Sequence, residues 1–378
     1  MNFDLEDDQR ALVDTLNRLV SKEYSFEQRQ RYARHSLGWS PDVWNSLAEI
    51  GLLALPFSEE DGGLGGTPTD LMLAAQALGK GALLEPFISS IVLCGGALKY
   101  GASIEQRAQW IPRLADGSLR LAMAHTEAGT RFVHGGAATR ADRISDQWRL
   151  TGRKTLVLHG DSADGFLVTA QSARAGGVPS RAIFHVNGDA AGLLRTPYTL
   201  LDGTRSADII LDGVDAQLVV KENAEEVLGL VACDGAGIAI ADAVGSMQVL
   251  IDLTVDYLKT RRQFGRAIGS FQALQHRAVD MLVELEQARS MSMYATMAAD
   301  APLAERCRAI SAAKIQICAS SRFISQQAIQ LHGGIGMTEE YQVGHFVRRL
   351  MVLESLFGDK NFHMKRLSAT EGVFSTQP

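Results

Sequence analysis

The hydrophobic period of this chain changes twice, and that double change limits the folds open to it. From Leu5 to about Arg34, Leu12, Val13, Leu16, Leu19 and Val20 recur at the spacing of an amphipathic helix. Ser40 and Pro41 read as an N-cap with proline in the first turn, opening a second helix that ends at Gly51. Helical spacing continues through Thr69–Leu84 and Ile104–Leu114. Near Leu119 the pattern turns to short β-rich runs punctuated by Gly, Asp and Asn. These are Trp148–Leu150, Thr155–Leu158, Phe166–Ala170, Ala182–Val186 and Ala207–Leu211. Long helical patterns resume at about Ala224 and run to Arg366. The order predicts an α+β chain with an N-terminal helical domain over 1–118, a central β domain over 119–222 and a C-terminal helical bundle over 223–378. The stretch Ser172–Arg181 reads as a surface loop.

With 378 residues there is ample material for a core, and the apolar share of 46% is ordinary for a globular protein. A net charge of −6 argues against a nucleic-acid groove or an anionic membrane surface as the main partner. No run approaches the ~20 apolar residues of a membrane span. The N-terminus, MNFDLEDDQR, is acidic and has no apolar signal core. Cys94, Cys233, Cys307 and Cys318 lie far apart in apolar surroundings without a CxxC, so free buried thiols are expected rather than disulfides or a metal site. His276, His332 and His345 have no ligand-like spacing, and no metal is expected. His332, abutting two glycines, reads as a wall of a binding site or a packed histidine. A cytoplasmic protein fits these features.

Two blocks carry the chemistry. The first, YLKTRRQFGRAIGSFQALQHR from Tyr257 to Arg277, is a helix running into a loop broken by Gly265 and Gly269, with Lys259, Arg261 and Arg262 clustered beside it. Guanidinium groups pair bidentately with phosphate oxygens, and glycines let backbone approach a ligand, so a pyrophosphate suits this block. The second, QLHGGIGMTEEY from Gln330 to Tyr341, sets Gly333, Gly334 and Gly336 directly after an apolar-periodic helix.

In this order and at this separation the two blocks resemble the acyl-CoA dehydrogenase family. The resemblance extends through WNSLAEIGLLALPFSEEDGGLGG (Trp44–Gly66), AMAHTEAG (Ala122–Gly129) and LTGRKTLVLHGDSADGFLVTA (Leu150–Ala170), so it covers nearly the whole chain. It implies a family fold whose C-terminal part is a four-helix bundle. It also implies FAD as cofactor, acyl-CoA as substrate and an electron-transfer flavoprotein as acceptor. The implied assembly is a homo- or hetero-oligomer, a tetramer, in which the FAD adenine diphosphate lies across a subunit boundary. The residues matching the family's cofactor positions are Arg261, Phe264, Gln330, Gly333 and Gly334; Gln263 stands where many members carry a small hydroxyl residue, a change that keeps hydrogen-bonding ability, and Thr126 is kept in the β domain.

Other family positions have changed. The family's Trp-x-Thr against the flavin ring is here Leu156-Val157-Leu158, and its Glu-Pro-Gly-x-Gly-Ser-Asp loop is Glu127-Ala128-Gly129-Thr130-Arg131-Phe132. The two places where members carry the catalytic base hold Phe357 and Gly235, neither of which can take a proton. Asp234, Asp242, Glu354 and Asp359 are the nearby acids. Asp242 stands out, because it lies in the apolar run IAIADAVGSM two helical turns after Gly235, where a carboxylate is costly unless paired or functional. The expectation is that Asp242 is the base, the alternative being an Asp paired with a buried Arg or capping a local break. The half-changed site resembles the small subunits of heteromeric members acting on steroid side-chain or pimeloyl thioesters. Two further readings stand beside it: a non-catalytic structural subunit completing a partner's FAD site, and an oxygen-using flavoenzyme of the same fold.

Overall fold

The computed structural model describes residues 5–130, 138–172 and 180–369. Helices α1 (Asp7–Glu23), α2 (Phe26–Ala33), α3 (Pro41–Glu49) and α4 (Pro68–Gly79) come first. A π-helical segment, Phe87–Cys94, runs directly into α5 (Gly95–Gly101), and α6 (Ile104–Ala115) follows. The strands are β1 (Leu121–Ala124), β2 (Arg140–Ile144), β3 (Gln147–Leu158), β4 (Gly165–Ser172), β5 (Ser180–Asn187), β6 (Leu193–Thr199) and β7 (Arg205–Val220). Then come α7 (Ala224–Thr260), the short strands β8 (Arg262–Gln263) and β9 (Arg266–Ala267), and helices α8 (Gln272–Met297), α9 (Leu303–His332), α10 (Val343–Ser355) and α11 (Lys360–Ala369). The order of helices, strands and helices is the one the hydrophobic period predicts.

Local signals explain several boundaries. Ser40 accepts from the Val43 amide at 3.3 Å, with Pro41 in the first turn of α3. The single N-terminal helix expected from Leu5 to Arg34 is two helices, since α1 stops at Tyr24, whose amide closes on Val20 O. The two runs Trp148–Leu150 and Thr155–Leu158 are one strand, β3, while β2 and β6 had no apolar run to announce them. Most of the expected Ser172–Arg181 loop lies outside the described residues.

Contacts gather the chain into two compact units. One comprises Met1–Gln30, Pro68–Leu83 and Ala236–Pro378, the other Arg31–Thr67 and Leu84–Gly235. In the first unit α9 packs against α8, α10 and α11, and α4 packs against α1 and α8. Helix α7 comes so close to α4 that two glycines are needed: a Cβ on Gly245 would sit 2.0 Å from Gln76 O, and one on Gly79 2.2 Å from Asp242 O. Helix α7 is in fact long and apolar enough to cross a membrane, contrary to the reading of the bare sequence. Its most apolar window is 72% buried within the protein, so packing accounts for its composition.

In the second unit the strands close a ring: β4 pairs β2, β2 pairs β3, β3 pairs β7, β7 pairs β5, and β5 returns to β4. Strand β1 adds to β4 in parallel, and β6 lies antiparallel on β7. Buried Leu150, Phe166, Val168, Phe184, Ile209 and Leu211 form its core. The ring is interrupted by a register shift in β3 between Lys154 and Val157. Such bulges re-aim backbone groups. Here the Thr155 amide bonds Thr126 O at 2.8 Å and the Leu156 amide bonds the Tyr198 hydroxyl at 3.0 Å, instead of both continuing the ladder.

Candidate functional site

In the first unit the end of α7 turns sharply into the β8–β9 hairpin, in which Arg262 pairs with Ala267 and Gln263 with Arg266. The two turn residues, Phe264 and Gly265, both have positive φ, 52° and 79°, the condition for the tight turn that suits a two-residue hairpin. Glycine adopts this without strain, but a phenylalanine there is a genuine outlier. The Phe264 side chain is nevertheless 89% exposed at the tip. Below it the Arg266 guanidinium lies 4.0 Å from the Phe271 ring centroid, and Phe264 meets Phe271 edge-on at 6.1 Å. Lys259, Arg261, Arg262 and Gln263 are exposed around the same turn.

The second motif block meets the first through an aromatic stack. Helix α9 ends in His332, whose buried ring stacks on Tyr257 at 4.6 Å and lies 5.3 Å from Tyr341. Its Nδ1 donates to Ala328 O at 2.8 Å, and burial pushes its pKa down, so the imidazole is a neutral packing group. Of the two readings of His332, the packed histidine is the one the geometry favours. The chain then leaves α9 through Gly333, at φ 64°. Nothing lies within 4 Å of a Cβ placed on Gly265, Gly333 or Gly334, and Gln330 is exposed in the last turn of α9. Exposed cations without an ion pair among the described residues, beside open glycine backbone, fit a dinucleotide pyrophosphate. Arg261, Gln263, Phe264, Gln330, Gly333 and Gly334 thus belong to one unit and to segments joined by the Tyr257–His332 contact.

Thr126 belongs to the other unit. It is half-buried, and its carbonyl receives the Thr155 amide from the β3 bulge. Beside it Glu127 and Lys154 form a fully buried ion pair at 2.7 Å. Burial raises the Glu127 carboxyl, but the Lys154 ammonium, the Thr139 hydroxyl and the Ala138 amide together outweigh it and hold it down at about 2. Burial draws the Lys154 ammonium down to about 8. No sequence signal announces this pair, because a Lys inside a strand pattern reads as outward-facing. Leu156, in the place of the family's aromatic, is 40% exposed. Arg131 and Phe132 lie outside the described residues. A half-open cleft of about 470 Å³, lined by Trp110, Arg113, Gln147 and His185 among others, includes none of the expected site residues.

The structure shows Asp242 in the paired arrangement that stood as the alternative to a base. Its carboxylate is buried and engaged on both oxygens: Arg349 Nη2 donates to Oδ2, while Arg349 Nε, at 3.4 Å, and Ser246 Oγ, at 3.3 Å, donate to Oδ1. The guanidinium thus holds both carboxylate oxygens inside the fold. The other acids are engaged as well. Asp234 accepts from the Tyr100 hydroxyl at 2.8 Å, Glu354 pairs with Arg322, and Asp359 caps α11 through the Phe362 amide at 2.8 Å. Phe357, at φ 59°, and Gly235 fill the two family base positions.

Comparison with known proteins agrees with this geometry. Residues 6–118 match the acyl-CoA dehydrogenase N-terminal domain and residues 235–371 the acyl-CoA dehydrogenase C-terminal domain. A probable acyl-CoA dehydrogenase, YngJ of Bacillus subtilis (strain 168), is 29% identical over 388 residues, covering 97% of this chain and 98% of that protein. The fold is similar to that of a chain in the ChsE4–ChsE5 complex from Mycobacterium tuberculosis, with a TM-score of 0.88 at 22% identity over 100% of this chain and of that one. The FAD complex of PigA is similar, with a TM-score of 0.89 at 23% identity over 98% of each chain. The chain belongs to the acyl-CoA dehydrogenase family, FAD-linked oxidoreductases acting on the CH–CH bond of acyl-CoA.

Proposed function

We propose that this chain is one subunit of a heteromeric acyl-CoA dehydrogenase, lending its hairpin and Gly333-Gly334 loop to an FAD shared with an adjoining subunit. Electrons pass from it to an electron-transfer flavoprotein, as the family resemblance implies. The observation that carries the reading is the contrast between two sets of residues. The pyrophosphate-binding set is intact and open to solvent, whereas every acid near the expected base positions is engaged elsewhere. A cytoplasmic setting accords with the four free thiols, one of them only partly buried.

Each residue has a definite task in this reading. Arg261 places its guanidinium on the pyrophosphate, and Lys259 and Arg262 raise the local positive potential that draws it in. The backbone at Gly333 and Gly334 approaches the phosphates closely, Gln263 and Gln330 supply amide hydrogen bonds, and Phe264 offers its ring to the adenine side. Thr126, in the other unit, offers a hydroxyl to the ring of a flavin whose adenine diphosphate the adjoining subunit's hairpin holds. Bound FAD supplies the acceptor for the hydride leaving Cβ. The Cα proton goes to a carboxylate of the adjoining chain, because Phe357 and Gly235 offer none and Asp242 is bound to Arg349.

Purification of the chain alone, and together with the product of a neighbouring gene, tests the reading through the visible flavin spectrum and anaerobic reduction by acyl-CoA. Full flavin occupancy and reduction only in the joint preparation are expected. Stoichiometric flavin and rapid reduction in the chain alone would replace the heteromer by a self-sufficient enzyme. Arg261→Ala removes a charge-assisted contact and should weaken FAD binding about tenfold to a hundredfold. Full retention of flavin by that variant through dialysis would remove the hairpin from the site.

A further inference from the structure

The chain contains a lysine with no exposed surface, Lys154, and all three protons of its ammonium are used. Nζ donates to Glu127 Oε1 at 2.7 Å, to Thr169 Oγ1 at 3.1 Å and to His125 O at 3.2 Å. Two of these partners, His125 and Glu127, are the residues on either side of Thr126. The residue after the lysine completes the grip, since the Thr155 amide bonds the carbonyl of Thr126 itself. Three consecutive residues of the turn are therefore tied to two consecutive residues of β3.

The far side of the turn is anchored to the same carboxylate. Glu127 Oε1 also accepts from Thr139 Oγ1 at 2.6 Å and the Thr139 amide at 3.1 Å, and Oε2 accepts from the Ala138 amide. Thr169, accepting from the ammonium, can donate its own proton to His125 Nδ1, 3.1 Å away. A buried ion pair is a poor way to gain stability, because desolvation offsets most of the attraction. A fully satisfied polar network does, however, define one geometry where apolar contacts would permit several.

We infer that Lys154 and Glu127 are positioning residues for the cofactor site, fixing the backbone on both sides of Thr126 so that its hydroxyl is presented in a single orientation to the flavin ring. The inference rests on the proposed role of Thr126 and extends it to two residues that touch no ligand. The β3 bulge is part of the device, because the register shift after Lys154 frees the Thr155 amide for Thr126.

The test uses the flavin-loaded protein, with its partner chain where loading requires one. Its readouts are the visible spectrum and reduction potential of bound FAD, and amide exchange at Thr155. Thr126→Val examines the underlying reading, and Glu127→Gln examines the inference. Glu127→Gln removes the charge while keeping the shape and the acceptor. The expected result is that both variants shift the flavin spectrum and potential in the same direction, and that Glu127→Gln speeds Thr155 exchange about tenfold or more. No shift with Thr126→Val would overturn the reading of Thr126. A shift with Thr126→Val but none with Glu127→Gln would overturn the inference alone. Should Glu127→Gln fail to fold, Thr139→Val removes one hydrogen bond from the same oxygen and should give a smaller shift of the same sign. An unchanged spectrum there would count against the inference just as plainly.

Discussion

Asp242 and Arg349, 107 residues apart, close on each other inside the first unit as an ion pair with side chains only 7% exposed. Ser246 ties the pair to the helix crossing, since its hydroxyl is 2.9 Å from Gly79 O and 3.3 Å from Asp242 Oδ1. The carboxylate thus anchors α10 to α7 just where α4 makes its closest approach.

Breaking this pair from one side should be severe. Asp242→Asn removes a buried counter-ion from Arg349, for a loss of about 3–5 kcal/mol in urea unfolding. Asp242→Leu with Arg349→Met removes both charges and should recover most of that loss. The folded fraction of Asp242→Asn should keep its rate of flavin reduction. A fall of about a hundredfold or more at unchanged stability would return Asp242 to the role of base.

The hairpin tip should show the opposite trade. Phe264→Gly relieves a side chain held at φ 52°, which costs of order 1–3 kcal/mol. Thermal unfolding should therefore be unchanged or slightly higher. Flavin retention should fall, because the ring that the strained turn presents at the tip is lost. A variant with both higher stability and undiminished flavin would show that Phe264 serves something else.

How much of this was legible depends on sequence separation. The helix–strand–helix order, the Ser40 cap and the cationic hairpin with its glycines are local features, set by spacing and turn chemistry within a few residues. Asp242 was correctly singled out as a carboxylate in an apolar run. Its partner was not, since nothing in the run VGHFVRRLMVLES says which of Arg348 and Arg349 faces inward. Lys154 failed for a related reason: the register shift in β3 breaks the alternation from which facing is read. The break after α1 was legible: Ser25 and Gln28 form a capping box that opens α2, the Gln28 amide donating to Ser25 Oγ at 3.3 Å and the Ser25 amide to Gln28 Oε1 at 3.0 Å.

A second buried lysine leads to a further prediction. Lys314 donates to Leu353 O at 2.8 Å, Glu354 O at 3.2 Å and Leu356 O at 2.9 Å, so one ammonium caps the C-terminal turn of α10. Burial lowers its pKa, and the nearby Cys318, Glu354 and Asp359 oppose that shift. Lys314→Met keeps the length of the side chain but leaves three carbonyls without their donor, and should destabilise by about 2–5 kcal/mol. Amide exchange should accelerate first between Leu353 and Phe357. Uniform acceleration across the unit, with no local excess, would mean that the lysine supports the bundle generally rather than this turn.

The turn that Lys314 holds from one side is held from the other by His363, and this contact gives stability a pH dependence. The ring is 1% exposed, and Nε2 donates to Phe357 O while Nδ1 pairs with Ser311 Oγ, both at 3.1 Å, so the neutral form has both nitrogens satisfied. Burial, and then the Lys314 charge, push its pKa down from 6.5 to about 4. In the unfolded chain His363 takes a proton below about pH 6.5, while the folded protein resists protonation until about pH 4. The unfolded state therefore binds more protons across that window, and stability falls as pH drops through it, levelling off below. Between pH 7 and pH 5 this single group should cost about 2 kcal/mol. Glu127, held at about 2 against 4.5 in the unfolded chain, begins to lose its contribution only as pH falls through about 4.5, below the pH 7 to pH 5 comparison. Other buried histidines share the sign, so the comparison is between the natural protein and His363→Gln, each unfolded in urea at pH 7 and pH 5. The variant should be less stable at pH 7, having lost one of its two hydrogen bonds, and should lose about 2 kcal/mol less on going to pH 5. An equal loss in both proteins would mean that His363 is already protonated in the fold, and that Phe357 O and Ser311 Oγ are held by an imidazolium.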